Sequence, residues 1–285
     1  MFWSVALPTD LSDAASVSSV AMALESSGVD ACHVTDHPYP PRTWLDSGGH
    51  RAPDPFVMLS FAAAATGRLR LHTNVLVAGY RNPVLAAHGI ATLDALSGGR
   101  VIVGLGMGYL RAEFAALGID HRQRGALLDN AVATMTAAWC GATENVLSPL
   151  PLSTPHPPIW FGGNSAATIK RVVAFGQGWS PFPASKSMAR HTRTTELVDQ
   201  GDLKRAIVEL RARAEAAGRT DPIDVCCVPF SHPHHSAVFE PDRLVTEATE
   251  LAELGVTWLS VALPAPSQAG LLENIERFGT EVVHA

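Results

Sequence analysis

The sequence predicts an α/β fold, a (β/α)8 TIM barrel, and three observations lead there. Short apolar runs alternate with helical patterns from one end of the chain to the other, in about eight units. Residues 93–109, LDALSGGRVIVGLGMGY, pack a helix end, a buried strand and a glycine-rich turn into one run. No low-complexity tract, charge block or Pro/Ser linker interrupts the pattern, so residues 1–285 are expected to form one domain.

The elements follow in order. Residues 3–7 read as the first strand and 14–26 as the first helix. Strand 31–35 leads into a long loop ending at Asp54-Pro55, where a proline at a first helical position sacrifices no hydrogen bond and opens the helix 55–65. Strand 69–75 and helix 84–95 come next, and Gly98-Gly99 can take the positive φ that stops that helix. Val101-Ile102-Val103 is a β-branched run suited to a parallel strand covered on both faces, 101–105. Helix 123–139 passes through a stretch with Pro149, Pro151, Pro155, Pro157 and Pro158, read as a meandering loop, into strand 159–161. Helix 165–175, strand 178–181, helix 203–216 and strand 223–228 continue the alternation; Glu240-Pro241 opens helix 241–254, and strand 258–262 and helix 268–283 complete it.

Composition bounds the function. A chain of 285 residues with 47% hydrophobic content and a mean hydropathy of +0.13 has ample material for a large core. Lys plus Arg number 21 against 27 Asp plus Glu, with no basic stripe, which argues against a nucleic-acid partner. The start has no basic n-region and the most apolar stretch is too short to span a bilayer, so no membrane role is expected and the location is expected to be cytoplasmic. Cys32, Cys140, Cys226 and Cys227 show no C-x-x-C spacing and read as buried free thiols.

In a barrel the loops after the strands build the site. Asp36 and His37 emerge there after the second strand, and a histidine beside a carboxylate is an acid/base candidate; the same dipeptide also reads as a loop cap with a packed histidine. Gly162-Gly163-Asn164-Ser165 opens a helix directly after a strand and presents free N–H groups at its positive end, a site that suits a phosphate as well as an ordinary N-cap. Gly104, Gly106 and Gly108 leave bare backbone that a ligand can approach, although their spacing is not the dinucleotide fingerprint. His72 reads as a core residue. Ser231-His232-Pro233-His234-His235 is the most metal-like segment, yet it lacks ligand spacing, and no metal is expected. Trp44 and Trp179 either line a planar ligand or pack loops.

The segments SSGVDACHVTDHP, RLRLHTNVLVAGYRNPVLAAHGIATLDALSGGRVIVGLGMGY, RAEFAALGI, PPIWFGGNSAATIKRVVAFGQGW and ELGVTWLSVALP together resemble the bacterial luciferase-like oxidoreductases. The turn at 35–38, Arg81-Asn82-Pro83 and the run LDALSGGR are most similar to the subgroup that uses the deazaflavin coenzyme F420. The resemblance implies a TIM barrel holding the coenzyme in its C-terminal mouth, with phosphate near Gly162, Gly163 and Asn164 and backbone contacts near Gly106, Met107, Gly108 and Tyr109. It implies a bulge at Asn74-Val75, often with a cis peptide, supporting one face of the ring. Asp36 and His37 would lie beside the redox centre. Three departures stand out: Gln177 where relatives usually carry Asp, Asn130 in place of a common Glu, and a shortened segment over 140–157, read as a trimmed rim.

The leading expectation is hydride transfer between F420 and an unidentified small organic substrate, unsaturated or carbonyl-type, with His37 moving a proton and Asp36 orienting it. An FMN-dependent monooxygenase of the same fold is the alternative. Readings of another class are a metal-dependent hydrolase using Asp36, His37 and His232 to His235, and a flavin protein that only binds. The alanine-rich helices 55–65 and 84–95 suit a homodimer interface.

Overall fold

In the computed structural model, which describes residues 1–10, 13–233 and 238–285, eight parallel strands close into a barrel in sequence order. They are β1 (Phe2–Ala6), β2 (Ala31–Val34), β3 (Arg70–Val77), β4 (Val101–Gly106), β5 (Ile159–Gly162), β6 (Gly178–Ser180), β7 (Asp224–Cys227) and β8 (Trp258–Val261). The helices around them are α1 (Ala14–Ser26), α2 (Arg42–Asp46), α3 (Pro55–Ala65), α4 (Pro83–Ser97), α5 (Arg111–Ala116), α6 (Arg124–Trp139), α7 (Ala166–Phe175), α8 (Lys186–Thr192), α9 (Gln200–Ala216), α10 (Pro241–Leu254) and α11 (Gln268–Phe278). None of the described helices is long and apolar enough to cross a membrane.

Local chemistry sets the helix ends. Asp13 accepts from the N–H of Ser16, Asp54 from Phe56 and Val57, and Asn82 from Val84 and Leu85, the last two just ahead of a proline at the first helical position. Gly98, at φ 76°, closes α4 in the left-handed conformation. Three helices escaped the sequence reading: α2, α5 and α8. Each spans one to two turns, too short for a 3.6-residue period to show, and each follows a strand on the functional rim.

The strand period of two sorts the core into two compartments. Trp3, Val5, Cys32, Val34, Leu71, Val101, Val103, Leu105, Ile159, Phe161, Trp179, Val225, Cys227, Leu259 and Val261 join the large cluster between strands and helices. Ala31, Ile102, Trp160, Cys226 and Trp258 form a separate cluster inside the barrel, where the Trp160 and Trp258 rings meet edge to face at 5.3 Å. Above it lies a polar layer. Ser4 Oγ is 3.0 Å from His33 Nδ1 and 3.2 Å from His72 Nδ1, and Asn74 Nδ2 donates to Ser260 Oγ at 2.9 Å. His72 Nε2 is buried there without a partner among the described residues. Burial pushes its ring down to about 3, so it is neutral at ordinary pH.

The β3–β4 register shifts between Thr73 and Leu76, and the Asn74–Val75 peptide is cis. Neighbouring glycines make room for this bulge. A Cβ at Gly104 would collide with Thr73 O, one at Gly106 would lie 2.6 Å from Val75, and one at Gly162 would lie 2.8 Å from it. Bare backbone at Gly104 and Gly106 therefore admits the adjacent strand.

Candidate active site

The strands' C-terminal ends open into a cavity of about 530 Å3, within the range of small-molecule sites. Its floor is the upper layer of the barrel interior: Asn74, Val75, Gly106, Gly162, Ser180, Cys226 and Ser260. Asp36, His37, Met107, Gly108, Tyr109 and Gly163 also line it, so every residue expected to touch a coenzyme borders this cavity except Asn164.

His37 and Asp36 part company. The expected Asp36–His37 couple does not form, because the two side chains leave the strand end in opposite senses. Asp36 is buried and accepts from Arg81 Nη1 at 2.6 Å and from the N–H of Val77 at 3.0 Å, which ties the end of β2 to the turn after β3. Arg81 also reaches Asp54 at 3.0 Å, at the start of α3. Burial holds the Asp36 carboxyl above its ordinary value, with the guanidinium opposing. His37 instead donates from Nδ1 to Glu113 Oε2 at 3.1 Å.

Glu113 is fully buried in α5, and it is heavily bonded. Tyr80 Oη donates to the same Oε2 at 2.8 Å and the Tyr39 N–H to Oε1 at 3.2 Å. Burial and then the Glu113 carboxylate push the Tyr80 phenol far above its ordinary value, so it acts as a fixed donor. With Nδ1 engaged by a carboxylate, Nε2 is the ring nitrogen left to exchange a proton with the cavity. Trp44 lies tilted over the His37 ring at 4.7 Å, while His50 and Tyr109 approach it edge-on at 5.0 and 5.9 Å. His50 is held in turn by the Thr35 hydroxyl at 3.0 Å. The two tryptophans thus separate: Trp44 walls the cavity, whereas Trp179 is buried and donates from Nε1 to Gly163 O.

The opposite wall is the N-terminus of α7. Gly163 sits at φ 118°, a conformation open to glycine, and Ser165 caps the helix by accepting from Thr168 N–H. The Asn164 side chain is spent on structure: it donates to Phe182 O and Thr195 O and accepts from Phe182 N–H. Ser165, Thr168, Thr194 and Arg193 line the cavity next to it. Ser180 Oγ, on the floor beside them, is buried with no partner among the described residues. An orphan hydroxyl in a cavity also lined by a helix N-terminus and an arginine fits the phosphate of a flavin-type coenzyme.

Other expectations resolve differently. Among the described residues no group of three or more His, Cys, Asp or Glu is placed to hold a metal; His232 Nε2 lies 3.1 Å from Ala262 O, and His234 and His235 lie outside the described residues. Cys140 is exposed, unlike the other three free thiols. The 140–157 segment joins α6 to β5 and enters the barrel from the end opposite the cavity, so its shortening does not trim the rim. Gln177 accepts from Ile159 N–H at 2.9 Å, and Asn130 is solvent-exposed on α6. Sequence reasoning missed Glu113, Tyr80, Ser180 and Arg193. A signal existed for one: Glu113 is the lone acid of RAEFAALGI, a segment given no strand or helix from the sequence.

The luciferase-like monooxygenase family model matches residues 4–237. An uncharacterised protein of Mycobacterium tuberculosis strain H37Rv is 28% identical over 244 residues, 81% of this chain and 77% of its own length. An F420-dependent glucose-6-phosphate dehydrogenase of Kineococcus radiotolerans is 30% identical over 214 residues, 70% of this chain and 58% of that protein. Among solved structures, the monooxygenase RslO1 of Streptomyces bottropensis superposes with a TM-score of 0.79 at 18% identity, covering 100% of this chain and 99% of that one, a likeness of fold. The match over residues 4–237, on a closed eight-stranded barrel whose site lies at the strand C-termini, shows that this chain belongs to the luciferase-like monooxygenase family.

Proposed function

We propose that the protein is an F420-dependent oxidoreductase that moves a hydride between this deazaflavin and a small carbonyl-type or unsaturated organic substrate. The observation that carries the reading is the buried His37–Glu113 couple on the cavity wall, a pair suited to handling a proton. The relatives that bear F420-dependent names support the choice of coenzyme. When bound, the deazaflavin supplies hydride chemistry and leaves proton management to the protein.

The residues divide the work. Ser165, Thr168, Ser180, Thr194 and Arg193 would hold the phosphate, and the Val75 bulge would support the ring from the floor. His37 Nε2 takes the hydroxyl proton as an alcohol is oxidised, or returns it to the carbonyl oxygen in the reverse direction. Glu113 fixes the tautomer and stabilises the imidazolium that results. Trp44, His50 and Tyr109 exclude water on the substrate side. Homodimerisation belongs to the same reading, with Val57, Phe61, Val84 and Leu85 exposed on α3 and α4.

Equilibrium binding of F420 and FMN, side by side, to purified protein tests the proposal. F420 is expected to bind far more tightly; equal or stronger FMN binding would favour the monooxygenase alternative. Sedimentation of the same sample checks the dimer.

A further inference from the structure

Beyond Tyr109 a second cavity, of about 380 Å3, adjoins the first and shares Tyr109, Thr192 and Arg193 with it. Apart from Leu110, the rest of its wall is basic: Arg111 at the start of α5, His121, and Arg190 and His191 on α8. Among the described residues, Arg111, Arg190 and Arg193 gather around this one cavity with no carboxylate within ion-pair distance, while seven of the other fifteen arginines are paired. This happens in a chain whose formal net charge is −6. The nearby acids are already committed: Asp120 to Arg122, Glu113 to His37 and Tyr80, Asp129 to Arg171.

The cations feel one another. Burial and then Arg124, Arg111 and Arg193 hold His121 below the ordinary imidazole value. Arg124 is lowered in the same way, by burial first and then by Arg193 and Arg111. Concentrating like charge around a concave, partly desolvated space costs free energy that an entering anion would relieve, and guanidinium forks match phosphate and carboxylate geometry. Arg193 stands between the two cavities. It is the C-cap of α8, at φ 55° the one non-glycine residue at positive φ among the described residues, and it lines both spaces.

We propose that this second cavity is an anion subsite separate from the α7 N-terminus, taking a phosphate or clustered carboxylates carried by a molecule whose other end lies in the main cavity. The identity of that molecule rests on the function proposed above; the subsite rests on the cavity and its unpaired cations. Two sources share this chemistry, the anionic chain of the coenzyme and an anionic group on the organic substrate.

The test uses the double variant Arg111→Gln/Arg190→Gln, which touches neither His37–Glu113 nor the main cavity, with inorganic pyrophosphate and F420 as separate probes. Calorimetry at low and moderate salt is expected to show saturable pyrophosphate binding to the wild type, weakened by salt. In the double variant that binding should fall at least tenfold or lose a site, while the melting temperature holds or rises as like-charge repulsion is relieved. A parallel tenfold loss for F420 assigns the subsite to the coenzyme; unchanged F420 affinity assigns it to the substrate. Pyrophosphate isotherms that are identical in the two proteins, or no saturable binding to the wild type, overturn the proposal. Failure of F420 to bind the wild type while pyrophosphate behaves as expected would sink the proposed function and leave the subsite standing.

Discussion

The two ends of the barrel treat polar groups in opposite ways. At the end where the strands begin, each buried charge is closed into a local set of partners. Asp94 is fully buried and accepts from the N–H groups of Val101, Leu152 and Ser153 and from the Ser153 hydroxyl. The Arg100 guanidinium donates to Ser97 O, Ala63 O, Leu69 O and Thr66 Oγ1. At the end where the strands finish, capacity is left over: an orphan hydroxyl at Ser180, a His37 nitrogen facing the cavity, and arginines without acids. The buried charges at one end are satisfied by the chain itself, whereas groups at the other are left for what binds there.

Substitutions at the two ends should therefore fail in opposite ways. The largest effect is expected from His37→Ala, which should lower turnover by roughly 10²–10⁴ while thermal stability and coenzyme affinity change little. Glu113→Gln should follow in kcat more than in affinity. Single-turnover kinetics beside a coenzyme titration separates the two, and wild-type rates in His37→Ala would reduce the couple to packing. Asp94→Ala should reverse the pattern. It strands three backbone N–H donors at the closed end, at an expected cost of about 3–5 kcal/mol in chemical denaturation, with the rate per folded molecule unchanged.

Asp36 sits at the rim but behaves like the closed end. Its carboxylate clamps Arg81 and the Val77 N–H, and Arg81 keeps Asp54 as a second partner, so Asp36→Asn is expected to cost about 2 kcal/mol of stability. Any loss of rate should track the displaced turn over 77–81. A rate defect equal to that of His37→Ala, with no loss of stability, would return Asp36 to the proton-handling pair.

The same contrast explains what the sequence revealed. Eight strands and the helices that cover them were legible because apolar periodicity reports burial, and β-branched runs such as Val101-Ile102-Val103 report burial on both faces. The glycine run 104–108 was legible as close approach, though not what approaches: the contact is with the β3 bulge, a pairing between strands that no local pattern encodes. The cavity residues were largely named, since they fall at strand ends. Their partnerships were not. Asp36 and His37 are adjacent in sequence and diverge in space, while His37 and Glu113 are 76 positions apart and meet. Asn164 was named for its place at a helix N-terminus; only the positions of Phe182 and Thr195 show that its side-chain amide is spent.

His72 carries a buried nitrogen with no partner among the described residues, and pH should expose its cost. Its folded value of about 3 lies below the ordinary 6.5, so below pH 6.5 the unfolded chain takes up a proton that the folded chain refuses. Stability is then lost as pH falls from 6.5 toward 3, at about 1.4 kcal/mol per unit. His72→Leu should flatten denaturation midpoints by about 2 kcal/mol between pH 6.5 and 4.5. An unchanged slope would mean that another group dominates that window.

Ser180 is the finest probe of the contrast, because it removes one atom from the open end. Its hydroxyl is buried on the cavity floor beside Gly162 and Thr194, and burying it without a partner costs the folded protein free energy that a bound phosphate oxygen would return. Ser180→Ala should therefore move two observables in opposite directions. Stability of the free protein should hold or rise slightly, and coenzyme affinity should fall by about tenfold, the equivalent of one hydrogen bond to a charged group. Thermal melts with and without coenzyme read both at once, since the gain on binding reports affinity. If the variant melts higher and binds as tightly as the wild type, the orphan is a packing defect and the phosphate lies elsewhere. If both fall together, Ser180 supports the barrel as the closed-end residues do, and the division between the two ends breaks down at this position.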